Sequence, residues 1–132
     1  MDNKTIYALS TVLGKSGVAI IRISGKEALL VVRLMTNLNP DNIKARYAYF
    51  TDLKDLTKSQ TLDKCLLLYF KAPNSFTGED IVELQIHGSR AVISSVLNNL
   101  SRIPEFRMAE PGEYSKRAFY NQKMDLTDAE GL

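Results

Sequence analysis

Two short runs limit the architectures open to this chain. Residues 17–24 (GVAIIRIS) and 65–70 (CLLLYF) are nearly all apolar and too short for long helices. They read as buried strands, the first ending at Arg22 and Ile23. A third segment, residues 75–88 (SFTGEDIVELQIHG), opens as a turn and continues as an alternating strand. Successive side chains of a strand point to opposite faces, so Val82, Leu84 and Ile86 share one face, which reads as core. Ile81, Glu83, Gln85 and His87 share the other. A sheet is therefore obligatory, and one of its strands carries a carboxylate in mid-run.

The remaining segments surround that sheet. Residues 5–11 (TIYALST) alternate weakly and read as a first strand. Ser24 followed three positions later by Glu27 reads as a capping box opening a helix over KEALLVVRLMT, which NLNPDN ends. RYAYFTDL reads as an aromatic-rich strand, DLTKSQTLD as a polar hairpin connection, and KAPNSFTGED as a turn-rich connection. In residues 89–102, Val92, Ile93, Val96, Leu97 and Leu100 recur at helical spacing, predicting an amphipathic helix. FRMAEP reads as a short strand, and GEYSKRAFYNQ as a helix with Pro111 near its start. The predicted order is β, β, α, β, β, β, α, β, α. That order belongs to an α+β domain with a mixed β-sheet and packed helices. Residues 1–121 read as this domain. Residues 122–132 begin another amphipathic pattern and read as the start of a truncated helical domain, a frayed tail being the alternative.

The totals remove several functional classes. The length of 132 residues suits one domain with a real core. The formal charge of +2 is too small to argue for nucleic-acid binding by itself, so weak intrinsic binding to nucleic acid is expected. The lone Cys65 fits a small buried thiol in a reducing compartment. The N-terminus has no signal-peptide pattern, and no apolar run is long enough to span a bilayer, so the expectation is a soluble cytoplasmic chain without membrane contact. GKSG at positions 14–17 is not a phosphate loop: Leu9 stands where that pattern needs glycine, and the apolar strand follows it instead of preceding it. It reads as a turn. One histidine and one cysteine without spaced partners give no metal site, and His87 lacks a serine-hydrolase signature around it. No catalytic residue or metal ligand is assigned.

Three features remain, each with two readings. The row of Glu83, Gln85 and His87 is either the wet outer face of a half-exposed strand or the wall of a concave site. In such a site a fixed carboxylate can accept paired N–H bonds from a guanidine-like edge, such as a pterin or guanine carries. Arg22 either reaches solvent from its strand end or offers its planar fork to a ligand. The crowded charges of PGEYSKRAFYNQKMDL, with Glu113, Lys116, Arg117, Asn121 and Lys123, read mostly as a solvated helix face.

Four segments, GVAIIRISG, PNSFTGEDIVELQIHG, PGEYSKRAFYNQKMDL and the closing DAE, together resemble the N-terminal domain of the tRNA-modification GTPase family MnmE/TrmE in order and spacing. The resemblance spans nearly the whole chain. It implies a fold similar to folate-binding aminomethyltransferase (GcvT-like) domains, and a bound tetrahydrofolate derivative, either 5-formyl- or methylene-tetrahydrofolate. It also implies a homodimer. GTP, Mg and K would be handled by a separate G domain, so this stretch would not be catalytic alone. The resemblance further implies an FAD-dependent MnmG (GidA) partner and modification of carbon 5 of the wobble uridine of tRNA. Carried over residue by residue, the family's folate contacts fall on Arg22, Glu83 and Lys123. Two departures stand out: Ser89 and Ser16 occupy positions where glycine is usual, which bears on the pocket entrance. The alternatives are a pure dimerisation or partner-docking domain without ligand, and a free-standing aminomethyltransferase-like enzyme.

Overall fold

The computed structural model describes residues 2–13 and 17–122. The strands are β1 (Thr5–Leu13), β2 (Val18–Ser24), β3 (Tyr49–Lys54), β4 (Thr61–Phe70), β5 (Ile81–His87) and β6 (Phe106–Met108). The helices are α1 (Leu30–Met35), α2 (Arg90–Ser101) and α3 (Glu113–Tyr120), with a 3-10 turn at Pro40–Asn42. Six strands form one mixed sheet in the order β3-β4-β5-β2-β1-β6. All neighbours are antiparallel except β1 and β6. The α+β architecture and the predicted element order are thus both present.

The sheet has two unlike faces. On one, Tyr7, Ala19, Ile21, Ile23, Cys65, Leu67, Tyr69, Val82, Leu84 and Ile86 join Val31, Val32 and Met35 of α1 and Val96 and Leu100 of α2 in a single core. Each large apolar side chain taken fully out of water there contributes about 1.5–3 kcal/mol. Cys65 lies within this core, and burial, with Asp63 and Asp52 adding to it, pushes its thiol up to about 12. The opposite face carries Ile20, Arg22, Leu66, Leu68, Phe70, Glu83 and Gln85, placed there by strand alternation and by the registers Ile20↔Gln85, Arg22↔Glu83 and Leu68↔Glu83.

Three expectations need correction. First, β2 and β4 are not buried on both faces. Their burial alternates, and Leu66 of β4 is exposed. An apolar composition did not distinguish a strand covered twice from one whose outer face is apolar yet uncovered. Second, Ser24 and Glu27 form no capping box. α1 starts at Leu30, with Leu29 at its N-cap and no side-chain cap. Ser24 remains in β2, where its hydroxyl meets Thr77 Oγ1 and donates to Glu79 Oε1, each at 2.8 Å. Third, β3 begins at Tyr49 instead of Arg46, which has a left-handed backbone with φ +62°. The expected turn at 14–17 and the start of a second domain at 122–132 lie almost wholly outside the described residues.

Candidate ligand cleft

The cleft is built on the less covered face of the sheet, where β2 and β5 run side by side. Antiparallel register sets Arg22 directly opposite Glu83, and Arg22 Nε donates to Glu83 Oε1 at 3.0 Å. Gln85, two residues further along the same face of β5, donates from Nε2 to Glu83 Oε2 at 3.0 Å. Each carboxylate oxygen therefore has one donor. An ionised carboxylate has about four lone-pair directions, so one on each oxygen remains for a ligand. Glu83 is only 8% exposed, whereas the Arg22 side chain is 43% exposed. A rigid, nearly buried anion thus stands beside a more accessible cation.

Aromatic side chains wall the cavity in front of this pair. Its volume is about 260 Å³, and it is lined by Arg22, Phe70, Phe76, Ile81, Glu83 and Tyr114. Phe70 ends β4, and Phe76 comes from the 71–80 connection. Tyr114 comes from α3, and its hydroxyl donates to the Arg22 carbonyl oxygen at 2.6 Å. Burial raises the Tyr114 phenol well above its usual value, so it is a neutral donor throughout the physiological range. A second, wider groove of about 420 Å³ shares Arg22 and Tyr114 and continues past Leu9, Ser10, Glu110 and Gly112.

Behind the cleft lies a buried charge network, which locks α3 and the 71–80 connection together. Arg117, 2% exposed, donates through Nη1 to both oxygens of Glu79 at 3.1 Å. Its Nη2 donates to the Lys4 carbonyl at 2.8 Å and to Glu113 Oε2 at 3.2 Å. Glu113 also receives a two-pronged bond from Arg107 at 2.7 and 2.6 Å. Asn121 Nδ2 donates to the carbonyl of the fully buried Thr77. Glu113 and Arg117 are therefore not on a solvated helix face, as the charge crowding suggested. Charge alone could not separate exposed members of that segment from buried pairs.

The sequence-derived candidates divide as follows. Arg22 and Glu83 are brought into direct contact at the cavity. Lys123 lies outside the described residues. The polar row is not uniformly wet: Glu83 is buried, while His87 pairs through Nδ1 with Asp63 Oδ1 at 2.7 Å. Phe70, Phe76 and Tyr114 were not singled out from the sequence. An exposed aromatic within a turn-rich connection, as at Phe76, was the one available signal. Among the described residues no cluster of His, Cys, Asp or Glu could hold a metal ion, and no helix is long and apolar enough to cross a membrane.

Fold and cleft together define a small α+β domain with a candidate ligand site on one sheet face. The model of the family described as GTP-binding protein TrmE N-terminus matches residues 5–123, and the chain belongs to that family. It is 54% identical over 131 residues to the tRNA modification GTPase MnmE of Wolbachia sp. subsp. Drosophila simulans (strain wRi), covering 98% of this chain and 28% of that protein. Identity to the protein of the same name in Rickettsia bellii (strain OSU 85-389) is 47% over 129 residues, covering 98% of this chain and 28% of that one. Identity to the mitochondrial tRNA modification GTPase mss1 of Schizosaccharomyces pombe (strain 972 / ATCC 24843) is 52% over 130 residues, covering 97% of this chain and 26% of that one. The chain therefore spans little more than a quarter of the length of these relatives.

Proposed function

We propose that this chain is the folate-binding and dimerising module of a tRNA-modifying GTPase, with a reduced one-carbon folate held between Arg22 and Glu83. The observation that carries the reading is the fixed Glu83 carboxylate, with one lone pair left on each oxygen, at the base of an aromatic-walled cavity. A pterin offers a matching edge, an amino group beside a ring N–H. Phe70 and Phe76 offer apolar surface to its flat faces. Arg22, and Lys123 by resemblance, would meet ring oxygens or the carboxylates of the tail. The donor set therefore fits the group. The likeness to GcvT-type aminomethyltransferase domains belongs to the same reading.

In the whole protein this module would serve carbon-5 modification of the wobble uridine together with an FAD-dependent MnmG-type partner. The folate would supply the one-carbon unit, and GTP hydrolysis would belong to a different domain. Titrating 5-formyltetrahydrofolate into the chain by calorimetry tests the folate step. Saturable binding that weakens sharply in Glu83→Ala supports it, and no heat at millimolar ligand rejects it.

A second reading, dimerisation or partner docking without ligand, is favoured by one separate observation. Phe50 is 70% exposed on the less covered sheet face, in register with Leu66, which in turn faces Gln85 and then Ile20 across the strands. The adjacent exposed apolar side chains of Phe50 and Leu66 suit a second copy of the chain. Sedimentation would show a dimer that Phe50→Asp dissociates; a monomer at high concentration rejects pairing through this face. If Phe50→Asp dissociates the dimer and no folate binds, the docking reading replaces the folate one.

A further inference from the structure

The cavity in front of Glu83 is smaller than the molecule proposed to occupy it. At about 260 Å³ it lies below the range of roughly 300–1,000 Å³ usual for small-molecule sites. It accommodates a bicyclic head, and the rest of such a ligand has to emerge over the rim. The tail of a folate ends in carboxylates, so the charge at each exit decides which way it leaves. Arg22 gives its Nε to Glu83, so the pair at the base contributes little net charge. Past Tyr114, the wider groove presents Glu110, which repels a carboxylate. On the other side the walls are Phe70 and Phe76. Residues 71–75 between them carry Lys71 and no carboxylate, and the nearby Asp80 carboxylate is engaged by the Tyr69 hydroxyl and the Ala72 N–H.

Besides Lys71 of that connection, a second and better anchored cation, Arg46, stands against Phe70. Its guanidinium carbon lies 5.5 Å from the centroid of the Phe70 ring, and Phe70 is a wall of the cavity. Nη2 donates to the Asn74 carbonyl at 3.1 Å, tying the side chain to the connection that carries Phe76. The Arg46 backbone N–H donates to the Tyr69 carbonyl at 2.8 Å, so main chain and side chain are both anchored. Its φ of +62° is a conformation that a non-glycine residue adopts only when its surroundings hold it there. Among the described residues no carboxylate lies within ion-pair distance of Arg46, and Nη1 and Nε make no hydrogen bond.

We infer that Arg46 is a specificity-determining residue that binds the anionic tail of the ligand whose head lies on Glu83; this rests on the folate reading above. The planar fork, already oriented by Phe70 and Asn74, suits a carboxylate, and ordering it costs less entropy than recruiting a free side chain.

The test compares two ligands on the full chain, 5-formyltetrahydrofolate and the tail-less 6-methyltetrahydropterin. Each is titrated by calorimetry against the wild type, Arg46→Gln and Arg46→Lys, with thermal denaturation verifying that each variant is folded. The expected result is about ten-fold weaker folate binding in Arg46→Gln, partial recovery in Arg46→Lys and unchanged pterin binding. The wild-type preference for folate over pterin should also shrink as salt rises. Equal folate affinity in wild type and Arg46→Gln overturns the assignment while leaving the folate reading intact. Equal weakening of both ligands also overturns it, since Arg46 would then act through Phe70 or the 71–76 backbone. Should the wild type bind neither ligand, the folate reading itself fails, and this inference with it.

Discussion

Arg117 on α3 clamps Glu79 with one guanidinium nitrogen, Nη1 lying 3.1 Å from each carboxylate oxygen. The two residues lie 38 positions apart in the chain, and their contact fixes the connection that leads into β5. Arg117 is almost completely buried, and its Nε has no acceptor among the described residues. The network is therefore good but not saturated. Removing one partner of a buried pair typically costs about 3–5 kcal/mol, because the other charge is left stranded. Arg117→Ala should lose about that much, read from the urea midpoint with an unchanged slope. Arg117→Lys should recover only part, since an ammonium cannot reproduce the contacts to Glu79, Glu113 and the Lys4 carbonyl together. A loss below about 1 kcal/mol in Arg117→Ala would mean that the network contributes nothing beyond a surface pair.

Glu113 gives that network a pH signature. The bonds from Arg107, aided by the Glu110 backbone N–H, overcome the opposing effect of burial and hold its carboxyl down at about 2. A carboxyl whose folded value lies below its unfolded one stabilises the fold fully above the unfolded value, near 4.5. That contribution is lost as pH falls from about 4.5 through about 2, and it amounts to about 3 kcal/mol. Stability measured from pH 6 to pH 2 should therefore fall more steeply in the wild type than in Glu113→Gln. The variant starts lower, and the two curves should converge at the acid end. Parallel curves across that window would remove Glu113 from the account of acid stability.

For Glu83, binding and stability should separate. Its partner Arg22 is substantially solvated. Glu83→Gln keeps one acceptor oxygen for Arg22 and sets an NH2 group against Gln85, whose own amide can turn to accept from it. The variant should therefore cost about 1 kcal/mol of stability. Folate affinity should fall at least about ten-fold in the same variant, because the bonds a carboxylate accepts from paired N–H groups are charge-assisted. Denaturation and calorimetry on one preparation decide the matter. A large stability loss with unchanged affinity would make Glu83 a structural group.

What the sequence revealed and concealed follows from the range of the forces involved. Alternation placed Val82, Leu84 and Ile86 on the core face, and helical spacing defined α2, because both signals lie within a few residues of one another. The strand order was beyond such signals, since β6 reaches the edge beside β1 only through long-range pairing. The juxtaposition of Arg22 and Glu83, 61 residues apart, was reached through family resemblance and not through pattern. Phe70, Phe76, Tyr114 and Arg46 escaped notice because each is an ordinary residue until the chain is folded around it. Ser24 misled for the opposite reason: its local context fitted a helix cap, but Thr77 and Glu79, more than fifty residues away, engage its hydroxyl.

That competition for Ser24 makes Gly25 an informative position. The chain leaves β2 there with φ +147°, and its amide donates to the Asp80 carbonyl at 2.9 Å. A Cβ added to Gly25 would lie 2.5 Å from Thr5 Oγ1 and 2.7 Å from Thr5 Cα. The hydroxyl could rotate away, but the Cα belongs to the backbone of β1 and cannot move without disturbing its pairing with β2 and β6. Thr5 Oγ1 also accepts the Glu27 N–H at 3.1 Å, so rotation would remove that anchor ahead of α1. Gly25→Ala therefore combines an unfavourable φ with overpacking, and a loss of about 3 kcal/mol is expected. Gly17→Ala serves as the control: that glycine has φ +76°, but no atom lies within 4 Å of the added methyl. Its loss should be no more than about 1–2 kcal/mol, from backbone conformation alone. Equal losses at the two sites, measured by chemical denaturation, would show that conformational strain and not the approach of β1 dictates glycine at position 25.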